Sequence, residues 1–358
     1  MKSSTRILIS LVLTVAFLAL FLRSFDLRAA AASLQEASPW LLLAAVALNL
    51  LSYVVRAWRW RHLLAPMREG IGLYNLTSTT FIGFMVSFLV PMRLGEVVRP
   101  VLLARRERVA SSAAIATIAL ERLFDAMTVM AFFLFFSLSA HGRALLAPPD
   151  GGVRSQAASL LRDGAFAALL VVAIFLPLVI FLVVFPKKVV DFLHRLNRGG
   201  AETWLGKAIL ILESFLGGLG SIRRARELSA IIASSIVMWL MIDLSVYCGL
   251  LAFDLPLHFF DTFLLMVALT VGISVPTPGG VGAYEFFCQI SLTDLWGVPP
   301  AVAGAVAITQ HAITMLPPIV IGLLLMWRDG VRAADVRSLA QAPPAAGAAG
   351  TAAPEGRP

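Results

Sequence analysis

The chain has 358 residues, 59% of them hydrophobic and 14% charged, with a mean hydropathy of +0.86. Soluble domains carry roughly 25% charged residues, so the composition excludes an ordinary soluble fold and indicates an all-α integral membrane protein. The net charge of +8 reads as basic loops on the cytoplasmic side rather than as a nucleic-acid surface, and the two cysteines, Cys248 and Cys288, lie in or beside apolar segments and imply no disulfide framework.

Residues 7–22 form the first apolar run, preceded by Lys2 and Arg6. It reads as a signal-anchor helix, with a cleaved signal peptide as the competing reading. A helical span needs about 20 apolar residues, and segments 6–23, 39–56, 111–138, 164–186, 228–252 and 300–327 meet that requirement. Two further apolar regions, 72–104 and 257–293, are interrupted by proline and glycine. Where the second span ends, "RAWRWRHLL" (56–64) combines Arg56, Arg59 and Arg61 with two tryptophans, the composition of an interfacial anchor beside anionic headgroups.

Loop charge sets the topology. Residues 56–70 and the run "RRER" at 105–108 are basic and belong inside, so 72–104 must enter and leave on one side as a re-entrant hairpin. Residues 253–261 and 294–299 lack Lys and Arg and belong outside, which makes 257–293 a second hairpin from the opposite side. The expectation is six full spans, two re-entrant hairpins and both termini cytoplasmic, in the cell (inner) membrane; eight full spans is the alternative. The membrane domain covers 1–332, with halves at about 6–138 and 164–328. A basic connector, 187–226, joins them and contains an amphipathic segment at 201–219, read either as an interfacial helix or as a short helix packed on the bundle. Residues 333–358, rich in Ala, Pro and Gly, are expected to be a disordered tail.

The two interrupted regions share a pattern. Ser87, Pro91 and Gly95 match Ser274, Pro278 and Gly282 as S-x-x-x-P-x-x-x-G, and Pro276, Gly279 and Gly280 enrich the second copy. Polar pairs follow at similar intervals, Glu121–Arg122 in one half and Gln310–His311 in the other. With three crossings per half, the second copy would be inverted, which is a transporter architecture whose site lies where the broken helices meet.

Irregular backbone and ionisable side chains at membrane depth belong beside water or within protein. The first hairpin and the span after it supply Arg93, Arg99 and Arg122 as candidate ligands for a lipid phosphate, because guanidinium donors match phosphate oxygens. Glu96, Glu121 and Asp125 are the charge network that would hold them, Glu121 and Asp125 sharing a helix face at i, i+4. These six charges sum to zero, so a purely structural ion-paired cluster is an equally coherent reading. In the second half, Tyr284, Glu285, Gln289, Gln310 and His311 are the polar candidates. The half-helix beginning near Gly282 offers an N-terminus to an anion, or is simply a tight packing turn. His311 is a candidate proton relay, or a hydrogen-bonded packing residue.

No metal-spaced His/Cys cluster, phosphate-binding glycine loop or nucleophile elbow is present, so no catalytic residue, metal or cofactor is assigned. Without an ATP-binding motif, any driving force would come from an ion gradient, a downhill lipid gradient or a partner.

"RAWRWRHLL", "VPMRLGEVVRP" with the downstream "ERLFD", and "PTPGGVGAYE" together resemble the lysylphosphatidylglycerol synthase transmembrane-region family over about residues 7–330. The resemblance implies a flippase-like lipid-handling role. In bifunctional members an aminoacyl-transferase domain follows the membrane region; this sequence ends at 358 and is expected to lack it. Stand-alone members are associated with varied lipids, including polyprenyl-linked sugars and hopanoids. The partners expected are therefore anionic or phosphate-bearing membrane lipids and a lipid-synthesising enzyme. A membrane enzyme acting on a lipid phosphate and a non-catalytic membrane scaffold are the competing functions.

Overall fold

The computed structural model describes residues 3–23, 25–90, 93–146, 186–197 and 225–332, with isolated positions at 203, 206, 209, 334–336 and 338. The described residues form an all-α membrane protein: α1 (Ser3–Leu22), α2 (Leu27–Glu36), α3 (Pro39–Leu64), α4 (Leu73–Leu89), α5 (Gly95–Glu107), α6 (Ser111–Leu138), α7 (Ala140–Leu146), α8 (Pro186–Leu196), α9 (Ala225–Leu251), α10 (Asp261–Ser274), α11 (Ala283–Trp296) and α12 (Pro300–Arg328).

Length separates these helices into two kinds. α3, α9 and α12 have 26, 27 and 29 residues and are long and apolar enough to cross a membrane. α1 bends by 78° into α2, and α6 by 87° into α7, so the described residues hold three spans, or five when each bent pair is counted as one. Asp26 makes the first of these bends by capping α2, accepting from the amides of Arg28 and Ala29 at 2.9 and 3.2 Å. Five of the six expected spans fall on helices; nearly all of 164–186 and most of 201–219 and 333–358 lie outside the described residues. The second span runs further than expected, to Leu64 instead of 56. Nothing in 57–64 breaks a helix, and the face bearing Arg56, Arg59, Trp60 and Leu63 is buried.

α4, α5, α10 and α11 have 17, 13, 14 and 14 residues, each short of the roughly 20 a full span needs. They fold as two helical hairpins. In the first, a Cβ on Gly95 would fall 1.7 Å from the Gly83 carbonyl, so the limbs meet backbone to backbone. In the second, Gly272 faces the Tyr284 Cα in the same way, at 2.9 Å from its own notional Cβ. The first turn passes through Arg93 at φ 52°; Pro91 and Met92 lie outside the described residues. The second turn is a tight 3-10 turn, Pro278–Gly280, in which Gly279 and Gly280 take φ of 62° and 84°, conformations only glycine adopts freely.

The element order helix–hairpin–helix recurs as α3/α4–α5/α6 and α9/α10–α11/α12. Corresponding helices α3 and α9 form the most extensive helix–helix interface among the described residues. The hairpins are exchanged: α4 packs against α12 of the other half, and α10 against α6. Gly322 allows the first exchange, its Cβ position lying 2.7 Å from the Phe81 carbonyl. Four apolar clusters result among the described residues, two of them large. One gathers Trp60, Leu63, Leu64, Leu103 and Leu120; the other Phe21, Leu250, Leu265, Leu292 and Val306.

At the end of the molecule where α3 stops, Asp329 accepts hydrogen bonds from Tyr74 (2.6 Å) and Ser78 and pairs with Arg106 at 2.8 Å. Burial alone would raise the pKa of this carboxyl, but these partners outweigh it and hold it below its usual range. At the opposite end, His141 meets Asp261 at 2.7 Å, tying α7 to α10.

Candidate functional site

The polar residues converge between the two large clusters. On α6, Glu121 and Asp125 share a face, and both are buried. On α3, Arg56 and Arg59 stand one turn apart on the face turned toward them. Arg56 Nη1 donates to Glu121 Oε1 at 3.1 Å and to Asp125 Oδ2 at 3.0 Å. Arg59 Nη1 lies 2.8 Å from Asp125 Oδ1 and donates to Ser235 Oγ on α9 at 2.9 Å. Arg99, from α5, donates to both oxygens of Glu121 at 2.9 and 3.1 Å, its guanidinium 4.1 Å from the Trp60 ring centroid. Arg122 reaches Glu121 at 3.1 Å and Asp125 at 3.5 Å, and Trp239 on α9 donates to Asp125 at 3.2 Å. Glu96 lies 3.9 Å from both Arg122 and Arg93, at the hairpin turn.

Arg56 and Arg59 are therefore not interfacial anchors. Arg59 is fully buried and Arg56 is 6% exposed, because two carboxylates on α6 face that stretch of α3. Their arrival changes the charge. Five arginines now meet three carboxylates, an excess of two positive charges where the six sequence candidates summed to zero. The carboxylates cannot use every donor. The Nε groups of Arg56, Arg59, Arg99 and Arg122, and Nη2 of Arg59 and Arg99, are buried without a hydrogen bond among the described residues. Buried donors without acceptors are costly, and of these arginines Arg56 and Arg122 line an adjoining cavity, where an anionic ligand would supply acceptors.

A cavity of about 430 Å³ opens beside this cluster. Arg56, Arg93, Glu96, Arg122 and Asp125 line one part of it; Ser87, Ser274, Thr277, Gly279, Gly280 and Tyr284 bring both hairpins to its wall, and Gln310 of α12 adjoins them. Apolar lining comes from Phe84, Val129, Met130, Met266 and Leu269. Among the phosphate candidates, Arg93 and Arg122 reach the cavity, whereas Arg99 stands behind it, 2% exposed and committed to Glu121. Arg93 also donates to the Ile273 carbonyl, so the turn of the first hairpin grips the end of α10.

The second half is organised differently. Glu285 Oε2 accepts from the Gly282 amide at 2.8 Å and so caps α11 itself. α1 covers that end, with the Leu18 amide nitrogen 2.8 Å from the Gly282 Cβ position. The expectation that this N-terminus meets an anion is thereby corrected: its capping group is internal. Glu285 Oε1 contacts His311 Nδ1 at 2.6 Å, and His311 Nε2 contacts the Gly279 carbonyl at 2.9 Å. Gln289 turns away from the cavity toward the Pro300 carbonyl (3.1 Å), and Gln310 donates to the Val246 carbonyl at 2.7 Å. Pro276 accepts from Ser10 of α1 at 2.6 Å. Sequence reading missed Arg56, Arg59, Trp239 and the neutral polar lining Asn49, Ser52 and Tyr53. The spacing of Arg56, Arg59 and Trp60 on one face of α3 was the available signal.

The profile of the family described as lysylphosphatidylglycerol synthase TM region matches residues 7–322. A relative from Haloferax volcanii, glycosyltransferase AglD, is 26% identical over 337 residues, covering 88% of this chain and 53% of that protein. The chain thus spans about half the length of that relative.

Proposed function

The chain belongs to the lysylphosphatidylglycerol synthase TM region family, and from that premise we propose that it moves a phosphate-bearing lipid or lipid-linked precursor between leaflets. The observation that carries this reading is the excess of guanidinium donors beside a partly apolar cavity between two hairpin turns. Arg93 and Arg122 bind the phosphate; Arg56, Arg59 and Arg99, held by Glu121 and Asp125, supply the surrounding positive field. The apolar lining accommodates the first part of an acyl or prenyl chain. Alternating exposure of the cavity, by parting of the hairpin turns, carries the headgroup across. Charge placement favours an inner-membrane protein with both termini in the cytoplasm.

The name of the Haloferax relative favours a second reading. This membrane region would act in lipid-linked sugar chemistry, by turning over a lipid phosphate or by holding an enzyme that does.

Reconstitution separates the readings. Purified protein in phosphatidylcholine vesicles with headgroup-labelled phosphatidylglycerol is expected to expose inner-leaflet label to an external quencher. Arg93→Ala and Arg122→Ala are expected to abolish this while still inserting. Normal movement in both variants sinks the site assignment. Chemical conversion of the lipid, or co-purification of a transferase without lipid movement, favours the second reading.

A further inference from the structure

Glu285 and His311 lie just behind the cavity wall formed by Gly279, Gly280 and Tyr284, and the arginine site makes no use of them. Their hydrogen bonding fixes a proton count. The Gly279 carbonyl can only accept, so His311 Nε2 carries a hydrogen. The 2.6 Å contact between His311 Nδ1 and Glu285 Oε1 then needs a second proton, on the ring or on the carboxyl. Without it, a ring lone pair would face a carboxylate oxygen. The imidazole escapes by shifting its remaining hydrogen to Nδ1, which keeps Glu285 and abandons Gly279. Both bonds survive only while the pair holds the extra proton.

Gly279 is a consequential atom to release. Its Cβ position lies 3.1 Å from the Phe88 carbonyl at the end of α4 and 3.0 Å from Met315 Sδ, so the two hairpin turns touch here. Its φ of 62° is held by a turn of three residues. We propose that Glu285 and His311 bind one coupling proton, which latches the second hairpin turn against the first, and whose loss frees the turn and opens the cavity. The proton is taken from water and returned to it, and no other bond changes. This rests on the transport reading above and adds its energy source.

The groups around the pair are few. Tyr284 stacks on the His311 ring, centroids 4.6 Å apart, and Cys288 follows Glu285 by one turn on α11. From α9, Val246 accepts from Gln310 of α12, one turn beyond Asp243. α1 brings the backbone of Thr14 and Leu18, Phe25 just before α2 meets Gly304 of α12 two turns earlier, and α4 brings Phe88. Arg93 is the cation at the adjoining turn, bonded to Ile273.

The test uses the full chain in phosphatidylcholine vesicles with labelled phosphatidylglycerol and an internal pH dye. A gradient of about one pH unit biases a one-proton cycle by about tenfold, so wild-type lipid movement is expected to change by up to that factor with gradient direction, accompanied by proton flux. Glu285→Gln imitates a permanently protonated carboxyl and is expected to slow exchange at least tenfold and make it indifferent to the gradient. His311→Asn removes the latch and is expected to leave exchange running, equally indifferent. Wild-type movement that ignores the gradient overturns the proton site and leaves the lipid reading intact. If no lipid moves at all, the lipid reading falls, and ¹⁵N-histidine NMR of the detergent-purified chain decides the proton site. The His311 signal, assigned with His311→Asn, is expected to change when the sample is acidified; a constant signal overturns it.

Discussion

Arg122 and Arg59 touch the same two carboxylates, yet their loss should have opposite consequences. The Arg122 side chain is 36% exposed at the cavity, with contacts of 3.1, 3.5 and 3.9 Å to Glu121, Asp125 and Glu96. Its buried partners Glu121 and Asp125 keep Arg56, Arg59 and Arg99 when Arg122 is removed, so a partly exposed arginine here contributes about 1 kcal/mol to stability. A hydrogen bond from a guanidinium to a phosphate contributes about 1.5–3 kcal/mol, so Arg122→Ala should weaken anionic-lipid binding by about tenfold to a hundredfold. Arg59 has a fully buried side chain, 2.8 Å from Asp125 and 2.9 Å from Ser235. Removing one partner of a buried pair costs about 3–5 kcal/mol, so Arg59→Ala should unfold at a much lower temperature. Thermal unfolding in detergent, titrated with phosphatidylglycerol against phosphatidylcholine, reads both quantities at once. Stabilisation by a ligand scales as RT ln(1 + [L]/Kd), so each tenfold loss of affinity removes about 1.4 kcal/mol of it. Arg122→Ala binding the anionic lipid like wild type, or melting as low as Arg59→Ala, refutes this division between a ligand-facing and a supporting arginine.

Other substitutions probe the frame. Gly95→Ala places a methyl 1.7 Å from the Gly83 carbonyl and should splay the first hairpin, seen as loss of the folded peak in size-exclusion chromatography; a normal profile would contradict the backbone contact. Trp60→Phe removes the 2.8 Å bond to Thr117 and weakens the stack on Arg99, for an expected cost of about 1–2 kcal/mol in thermal unfolding. Asp329 has a lowered folded pKa, so its contribution is present above the unfolded carboxyl value of about 3.9 and lost as pH falls through the folded one. Asp329→Asn should therefore be less stable than wild type at neutral pH, with the gap closing below about pH 4; a gap independent of pH would point to packing instead.

Much of the architecture could be read from pattern. Apolar length marked the spans, and Pro278, Gly279 and Gly280 marked the second turn, although proline alone was no reliable sign, since Pro100, Pro317 and Pro318 sit inside helices. Glu121 and Asp125 declared a shared face by their spacing. Arg56 and Arg59 did not declare their role, since a basic cluster at the end of an apolar run also satisfies an interface. Only the carboxylates of α6, some 65 residues on in sequence, distinguish the two, and that contact belongs to tertiary packing. The same holds for His311, whose partner Glu285 lies on another helix 26 residues earlier. The Gly282 terminus misled for a local reason: an exposed N-terminus and a self-capped one have the same composition until Glu285 is seen bonded to it.

The exchanged hairpins define the moving parts. With α4 seated on α12, and Gly322 flush against Phe81, the α4–α5 hairpin cannot swing without carrying α12. The same logic binds α10–α11 to α6. Each hairpin therefore rests on helices from both halves of the sequence, α4 on α12 and α5 on α6, α10 on α6 and α11 on α12. A cut in the connector would separate two polypeptides, yet each hairpin would still hold a helix of the other one.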